Sequence, residues 1–353
     1  MGCSLDIEFN NQGILNLELI RYYHALVLLL STRRCRYLIR VTANGADKSA
    51  RACRYMLAGK VVAMQNEVPA LSAFSDGLAT EHYSEMLANT LAPDLLTVAK
   101  SYLQYYGTAP FAGVEREIRY WRSGNRAQLD IDGEPACQVN FQKSHIHVFN
   151  TQPLDSELNI ELITGPALVL LLSQHNIYCL HAGSVLTRAG TIGFIAESGA
   201  GKSTLTTDFD EGWQQISDDI LPIKFDEPTG VAQILPSYPQ LKLRGSVSPN
   251  GIVKPKSLDF LVRVNPEPSA SIRFKRLPRL NGMLQVVRHT VAAKLFDTEL
   301  LIEHSNFAKL VSVAVPVIEL SYPRKITKLK ELRQHIVNYL ENPVLQKSAS
   351  SKD

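Results

Sequence analysis

The chain has 353 residues, of which 45% are hydrophobic and 20% charged, as expected for a globular protein with two domains or one large domain and an extension. Its 37 Lys and Arg residues and 34 Asp and Glu residues leave a net charge of +3, which argues against a nucleic acid or a membrane as partner. The apolar run 25–30 is too short for a bilayer span, which needs about 20 residues. The five cysteines are scattered and fit neither a disulfide framework nor a zinc site, so we expect a cytoplasmic protein with reduced thiols.

Residues 1–112 carry no recognisable chemical motif. Apolar residues recur at helical spacing from Leu15 to Leu26 and again between Tyr83 and Tyr106, which predicts a mostly helical N-terminal region. A segment of ordinary composition without chemistry suggests a recognition domain. The remaining chain divides into a predicted catalytic domain, 113–345, and a polar tail, 346–353, predicted to be disordered.

The catalytic region begins with strands. Between Glu117 and Phe149 apolar and polar residues alternate, and Asp132-Gly133 is a tight-turn dipeptide, so this part predicts a small antiparallel sheet. Pro166 suits the first position of a buried helix ending near His175. The rest of the chain is expected to contain both strands and helices. The predicted strands are 177–186, 191–196, 213–217, 260–264, 272–277 and 317–321, and the predicted helices are 202–210, 282–296, 300–314 and 329–340.

The motif with the clearest chemistry is Ala196–Ser203, placed between a predicted strand and a predicted helix. Glycines let successive backbone N–H groups point at phosphate oxygens, and the following helix adds its positive end. In such a loop Lys202 reaches the β- and γ-phosphates and the Ser203 hydroxyl ligates Mg²⁺. Alanine stands where the usual first glycine would be, which is tolerable if Ala196 keeps a negative φ. The predicted nucleotide-binding residues are Glu197, Ser198, Gly199, Ala200, Gly201, Lys202, Ser203 and Thr204.

Two carboxylates and a histidine accompany the loop. Asp218 and Asp219 end the strand that follows the loop helix, and adjacent side chains at a strand end point in different directions. One can therefore hold magnesium while the other faces an acceptor hydroxyl as a base. His181 lies on the strand before the glycine-loop strand, where a core role and a functional role are both open.

These three segments together resemble the catalytic domain of HPr kinase/phosphorylase, and more closely the shorter HPr-kinase-related serine kinases of peptide-modification clusters. The resemblance covers roughly 164–219 well and 220–342 loosely, and Pro236–Leu243 with Arg244 resembles a segment of the shorter relatives. It implies an α/β fold with a P-loop core and mixed sheet, of the type shared by HPr kinase and phosphoenolpyruvate carboxykinase. It also implies His181, Lys202 and Asp218 as catalytic residues, with Asp218 as the base, and Ser203 and Asp219 as metal ligands.

The expected activity is therefore transfer of the γ-phosphoryl group of ATP, with Mg²⁺, to a serine-type hydroxyl of a protein, peptide or small molecule. The family's glutamate after the loop serine is replaced by Thr204, so HPr as the acceptor and the reverse phosphorylase reaction are not expected. A non-catalytic nucleotide-binding module and a nucleotide hydrolase are the alternatives. A homo-oligomer is left open.

Overall fold

A computed structural model describes the part of the chain that contains the loop and its surroundings. All described residues fall within one compact unit, 38–353. They are residues 38–43, 53–58, 60–64, 71, 101–149, 152–197, 199–207, 212–235, 255–267, 271–323 and 329–342. Ser198, the segment Pro236–Leu243 with Arg244, and the predicted tail 346–353 lie outside them, as does the helical spacing in 15–26.

The first half of this unit forms an eight-stranded mixed sheet. The strand order is β2-β3-β1-β8-β7-β6-β5-β4, in which β1 pairs parallel with both β3 and β8 and the other pairs are antiparallel. Asp132 and Gly133 both have positive φ, 54° and 86°, as the tight turn between β6 and β7 requires. The strands are β1 Leu38–Ala43, β2 Cys53–Leu57, β3 Lys60–Met64, β4 Tyr102–Phe111, β5 Val114–Ser123, β6 Arg126–Ile131, β7 Glu134–Asn140 and β8 His145–Val148.

This sheet corrects one prediction and extends another. The strands predicted between 117 and 149 are present. Most of the described residues in 1–112, however, lie in strands, so the predicted helical character is wrong for 38–43, 53–57, 60–64 and 102–111. The spacing that suggested a helix up to Tyr106 fails because β4 pairs along its length with β5, and this pairing overrides local periodicity. Strands from both sides of residue 112 share the sheet, while the functional division of the chain there stays a prediction.

The second half forms a nine-stranded mixed sheet. Its order is β14-β13-β12-β9-β10-β15-β17-β16, and β11 also pairs with β9. The pairs β10–β15 and β15–β17 are parallel. The strands are β9 Ile177–Thr187, β10 Gly190–Ile195, β11 Trp213–Ser217, β12 Ile220–Asp226, β13 Val231–Ile234, β14 Lys256–Ser257, β15 Phe260–Glu267, β16 Arg273–Arg276 and β17 Val317–Pro323.

Six α-helical segments complete the described fold. They are α1 Glu157–Leu162 and α2 Leu168–Ser173, joined by a π-helical turn at Ile163–Ala167, then α3 Lys202–Thr207, α4 Arg279–Arg288, α5 Thr298–Ala314 and α6 Leu329–Glu341. The helix predicted to begin at Pro166 starts earlier, because Ser156 caps α1 through its side chain. Gly165 (ψ −112°) then kinks the run next to the proline.

Two hydrophobic clusters show how the layers stack. One cluster joins the first sheet, α1, α2, α4 and α5 to one face of the second sheet. The other joins the opposite face of the second sheet to α3 and α6. Along β15 the faces alternate, since Leu261 belongs to the first cluster and Val262 to the second. The glycine loop therefore begins at the end of a strand that is covered by helices on both faces. Within the described residues, no helix is both long enough and apolar enough to cross a membrane.

Candidate functional site: the glycine loop and its neighbours

The loop between β10 and α3 contains two glycines with positive φ. Gly199 and Gly201 have φ values of 75° and 85°, in the left-handed region that side chains disfavour. Ala196 has no positive φ, so alanine in place of the usual glycine carries no backbone penalty. Gly199 has open space where a side chain would stand. The loop thus has two glycines with positive φ just before Lys202, and a side chain at Gly199 would meet no neighbour.

A tyrosine from a more distant strand holds the loop. The hydroxyl of Tyr322, on β17, donates a hydrogen bond of 3.2 Å to the carbonyl oxygen of Ala200. Burial raises the pKa of this phenol, which keeps it a donor at neutral pH. Since this carbonyl oxygen is bound by a protein donor, it is stabilised without help from a ligand. Tyr322 was not predicted, because nothing in its local sequence marks it.

The helix that follows the loop is held at its other end. The last carbonyl groups of a helix have no partner within it. In α3 the Leu205 carbonyl accepts hydrogen bonds from Trp213 Nε1 at 3.1 Å and from Arg333 Nη2 at 3.0 Å. The guanidinium of Arg333 also lies over the Trp213 ring, 5.2 Å from its centroid. This short helix is therefore positioned by two side chains from elsewhere in the fold, and Arg333 is a second residue that the sequence did not reveal.

The aspartates reach the loop through the central strand β9. Both β11 and β12 pair antiparallel with β9. Asp218 and Asp219 form the bend that connects these two strands. On the other side of β9, β10 ends at the loop. Because β10 and β11 both run antiparallel to β9, they end at the same edge. The structure therefore brings loop and aspartates together.

Three predicted side chains meet at this edge. Asp219 Oδ1 lies 3.3 Å from His181 Nδ1 and 4.0 Å from Lys202 Nζ. Lys202 is buried, whereas the side chains of Asp219 and His181 are 23% and 39% exposed. A buried ammonium beside a carboxylate and an imidazole is a charged centre that solvent reaches from one side.

Asp218 faces a different neighbour. Its Oδ1 accepts a hydrogen bond of 3.0 Å from the hydroxyl of Thr206, and the aspartate is only 4% exposed. Thr206 packs over Gly183 so closely that a Cβ there would meet Thr206 Cγ2 at 2.8 Å. The two carboxylates thus point in different directions, Asp218 towards α3 and Asp219 towards Lys202 and His181.

The remaining predicted residues line the loop and the start of α3. Glu197 is exposed and forms an ion pair of 2.9 Å with Arg288, which ends α4. Ser203 and Thr204 are exposed on the first turn of α3. The backbone N–H of His181 donates to the carbonyl oxygen of His289 at 2.7 Å. Arg288 and His289 are two more neighbours that the sequence did not predict, because they lie far along the chain.

The donor set at the loop fits Mg²⁺ bound together with a nucleotide. The described residues hold no group of three or more His, Cys, Asp or Glu able to bind a metal by themselves. Magnesium in nucleotide sites needs only one or two carboxylates, with water and phosphate oxygens completing its shell. An exposed Ser203 hydroxyl and two nearby carboxylates match that requirement.

Comparisons with known proteins add little to this geometry. No protein-family model matches the chain, and neither does any curated protein. Among solved structures, the Hpr(Ser) kinase/phosphatase from Coxiella burnetii matches with a TM-score of 0.27 and 14% identity, over 48% of this chain and 98% of that one. So weak a likeness carries no argument about activity. The class that the structure defines is a mixed α/β protein with two mixed sheets and few helices.

Proposed function

We propose that the chain is an ATP- and Mg²⁺-dependent kinase that transfers the γ-phosphoryl group to a serine-type hydroxyl. One observation carries the proposal: Lys202 Nζ, the Asp219 carboxylate and the His181 imidazole meet beside a loop whose Gly199 and Gly201 have positive φ. The serine-type acceptor rests on the sequence resemblance described above.

The loop and the lysine account for phosphate binding. Backbone N–H groups in a glycine loop and at the start of a helix present partial positive charge to an anion. Lys202 adds a full charge in a buried place, where its attraction for phosphate is screened less than at the surface. Phosphoryl transfer needs mainly positioning and charge stabilisation from the protein, and these groups supply both.

The two aspartates divide the remaining roles. A base has to reach the acceptor hydroxyl, and Asp219 is the more exposed carboxylate, next to the charged centre. Asp218 is buried against α3 through its hydrogen bond with Thr206, which lies three residues after Ser203 on the same helix. We therefore assign the base to Asp219 and the metal side to Asp218, which reverses the roles predicted from sequence.

His181 is assigned a positioning role. Its Nδ1 lies 3.3 Å from Asp219 Oδ1, within reach of a hydrogen bond or ion pair that orients the carboxylate. With ATP and Mg²⁺ bound, the metal would neutralise phosphate charge, and Ser203 and Asp218 are the residues placed to hold it. The chain's own residues bind the phosphates, orient the base and accept the hydroxyl proton.

Incubation with γ-labelled ATP, Mg²⁺ and a panel of hydroxyl acceptors tests the proposal. The panel contains seryl peptides, small proteins and free serine, and the fate of the label is followed over time. Label on an acceptor is the expected result. Label released only as inorganic phosphate would favour a hydrolase, and nucleotide binding without loss of label would favour a non-catalytic module.

A further inference from the structure

The corner that follows α4 is fixed beside the site by backbone hydrogen bonds. Thr290 forms an antiparallel bridge with Leu180 on β9, and the Val291 N–H donates to the Cys179 carbonyl at 2.8 Å. The His289 carbonyl accepts from the N–H of His181. Strand β10 stops pairing with β9 where the chain turns into the glycine loop. Beyond that point, the corner after α4 forms the hydrogen bonds to β9 instead.

His289 is buried at this corner without a partner for one ring nitrogen. The residue is 6% exposed, and its Nε2 has no hydrogen-bond partner among the described residues. Other deeply buried histidines in the described fold each form a hydrogen bond through a ring nitrogen: His145 and His147 with Thr42, and His304 with Thr290. A buried polar atom without a partner is costly, so such an atom next to a site suggests that a ligand completes it.

The surroundings of the ring indicate what kind of ligand this is. The charges of Lys202 and Glu197 both act on His289, which places the ring within electrostatic reach of the phosphate-binding lysine and the loop. Burial lowers the pKa of His289 to about 4, so the ring is neutral near pH 7 and carries one N–H donor. The neighbouring Arg288 binds Glu197 and so holds the corner against the loop.

Building on the proposed function, we propose that His289 Nε2 donates a hydrogen bond to the terminal phosphoryl group of bound ATP. The loop lysine of such sites reaches the β- and γ-phosphates. A donor near that lysine, at the corner facing Glu197, therefore meets the end of the triphosphate rather than the nucleoside. His289 would then distinguish ATP from ADP, and it would also fix the group that is transferred.

The test measures ATP·Mg²⁺ and ADP·Mg²⁺ affinity by calorimetry for the full chain and for His289→Leu, which removes the ring and its N–H donor. We expect ATP affinity to fall about tenfold or more, as for a lost hydrogen bond to a charged group, with ADP affinity unchanged. The matched control is His145→Leu, since His145 is also 6% exposed and burial likewise lowers its pKa to about 4, but it lies in the first sheet. This control should leave both affinities unchanged.

A second measurement does not depend on the variant folding. In wild-type protein with ¹⁵N-labelled histidine, the Nε2 resonance of His289 should move on addition of ATP·Mg²⁺ and stay in place with ADP·Mg²⁺. An unmoved resonance, or an ATP preference that survives in a folded His289→Leu, overturns the inference while the kinase proposal stands. If the wild type binds neither nucleotide, both fail together.

Discussion

The two sheets bury polar side chains in opposite ways. In the first sheet Thr42 Oγ1 lies 2.9 Å from His145 Nε2 and 2.7 Å from His147 Nδ1. Two strands further on, Asp130 accepts hydrogen bonds from Trp121 and Gln128. These groups lie within strands of the sheet, and each forms a hydrogen bond with another of them. At the edge of the second sheet, by contrast, Lys202 and Asp219 come from segments beyond the ends of strands.

The difference shows that buried polarity alone does not identify a site. Partners within a sheet are fixed by register, and they close a network that leaves no room for another molecule. Groups beyond the ends of strands converge from several segments around a glycine-rich loop, and some of them stay partly exposed to solvent. The predictions below test whether only the second arrangement binds a ligand.

Lys202→Ala should have the largest effect, with loss of measurable phosphoryl transfer and much weaker ATP binding. The mutation removes the only full positive charge that the loop itself supplies. Calorimetry with ATP·Mg²⁺ and the labelled-ATP assay measure both changes. His147→Gln, in the first sheet, is the control for a lost buried polar side chain and should bind ATP as the wild type does. Equal losses in the two variants would contradict the comparison.

Asp219→Asn should lower the rate of transfer by roughly 10²–10⁴-fold, the usual range for loss of a general base, with nucleotide affinity nearly unchanged. Asp218→Asn should instead raise the Mg²⁺ concentration needed for half-maximal rate. Rates measured over a magnesium titration distinguish the two. If Asp218→Asn loses rate at saturating Mg²⁺ and Asp219→Asn regains it, the roles predicted from sequence are the right ones.

Gly183→Ala should destabilise the fold by about 1–3 kcal/mol, as overpacking typically does, and weaken ATP binding with it. The new Cβ would meet Thr206 Cγ2 at 2.8 Å and push α3 away from β9. Gly193→Ala, on β10, is the matched control, because its Cβ would meet only the ends of leucine side chains, at 3.1 Å and beyond. Thermal melts with and without ATP·Mg²⁺ measure both effects, and a similar loss of ATP binding in the two variants would refute the role of close packing at Gly183.

The smallest effect concerns pH and the first sheet. Burial first, and then the charges of His147, Arg40 and Lys143, lower the pKa of His145 from 6.5 to about 4. Between pH 6.5 and pH 4 the unfolded chain therefore binds more protons than the folded chain. The free energy of unfolding has its full value above pH 6.5 and falls as the pH drops towards 4. Urea unfolding should show a loss of roughly 1–2 kcal/mol from this residue between pH 7 and pH 5, and His145→Gln should reduce that loss. An unchanged pH dependence in the variant would show that His145 is not the group responsible.

The sequence predicted the elements whose signals are local. The apolar runs of β9 and β10 and the glycine loop between strand and helix stand in the structure within a residue or two of the predicted bounds. Strand β12 was missed because Pro222 interrupts its apolar run, although the strand pairs with β9 through that position. The sequence also predicted that His181 and Asp219 lie near Lys202, because their strands were expected to neighbour the strand that leads into the glycine loop.

What sequence could not show are contacts that depend on distant parts of the chain. Tyr322, Arg333 and His289 support or line the loop from β17, α6 and the corner after α4. Each lies in a segment of ordinary local pattern, and its role arises only from the way that the sheet orders its strands. The P-loop assignment itself and the acceptor stay predictions.

The central strand β9 sets the alignment of the whole site. It pairs with β10 on one side and with β11 and β12 on the other, and it also carries His181 and Gly183. A shift of β9 by one residue in its pairing register would turn the positions of His181 and Gly183 to the opposite face of the sheet, whereas an insertion in the hairpin at 188–189 would leave them in place. Evolutionary change in β9 is therefore constrained by the register of the strand as much as by the identity of its residues. Variation in length should accumulate outside this strand, and variation in chemistry at the open side of the loop.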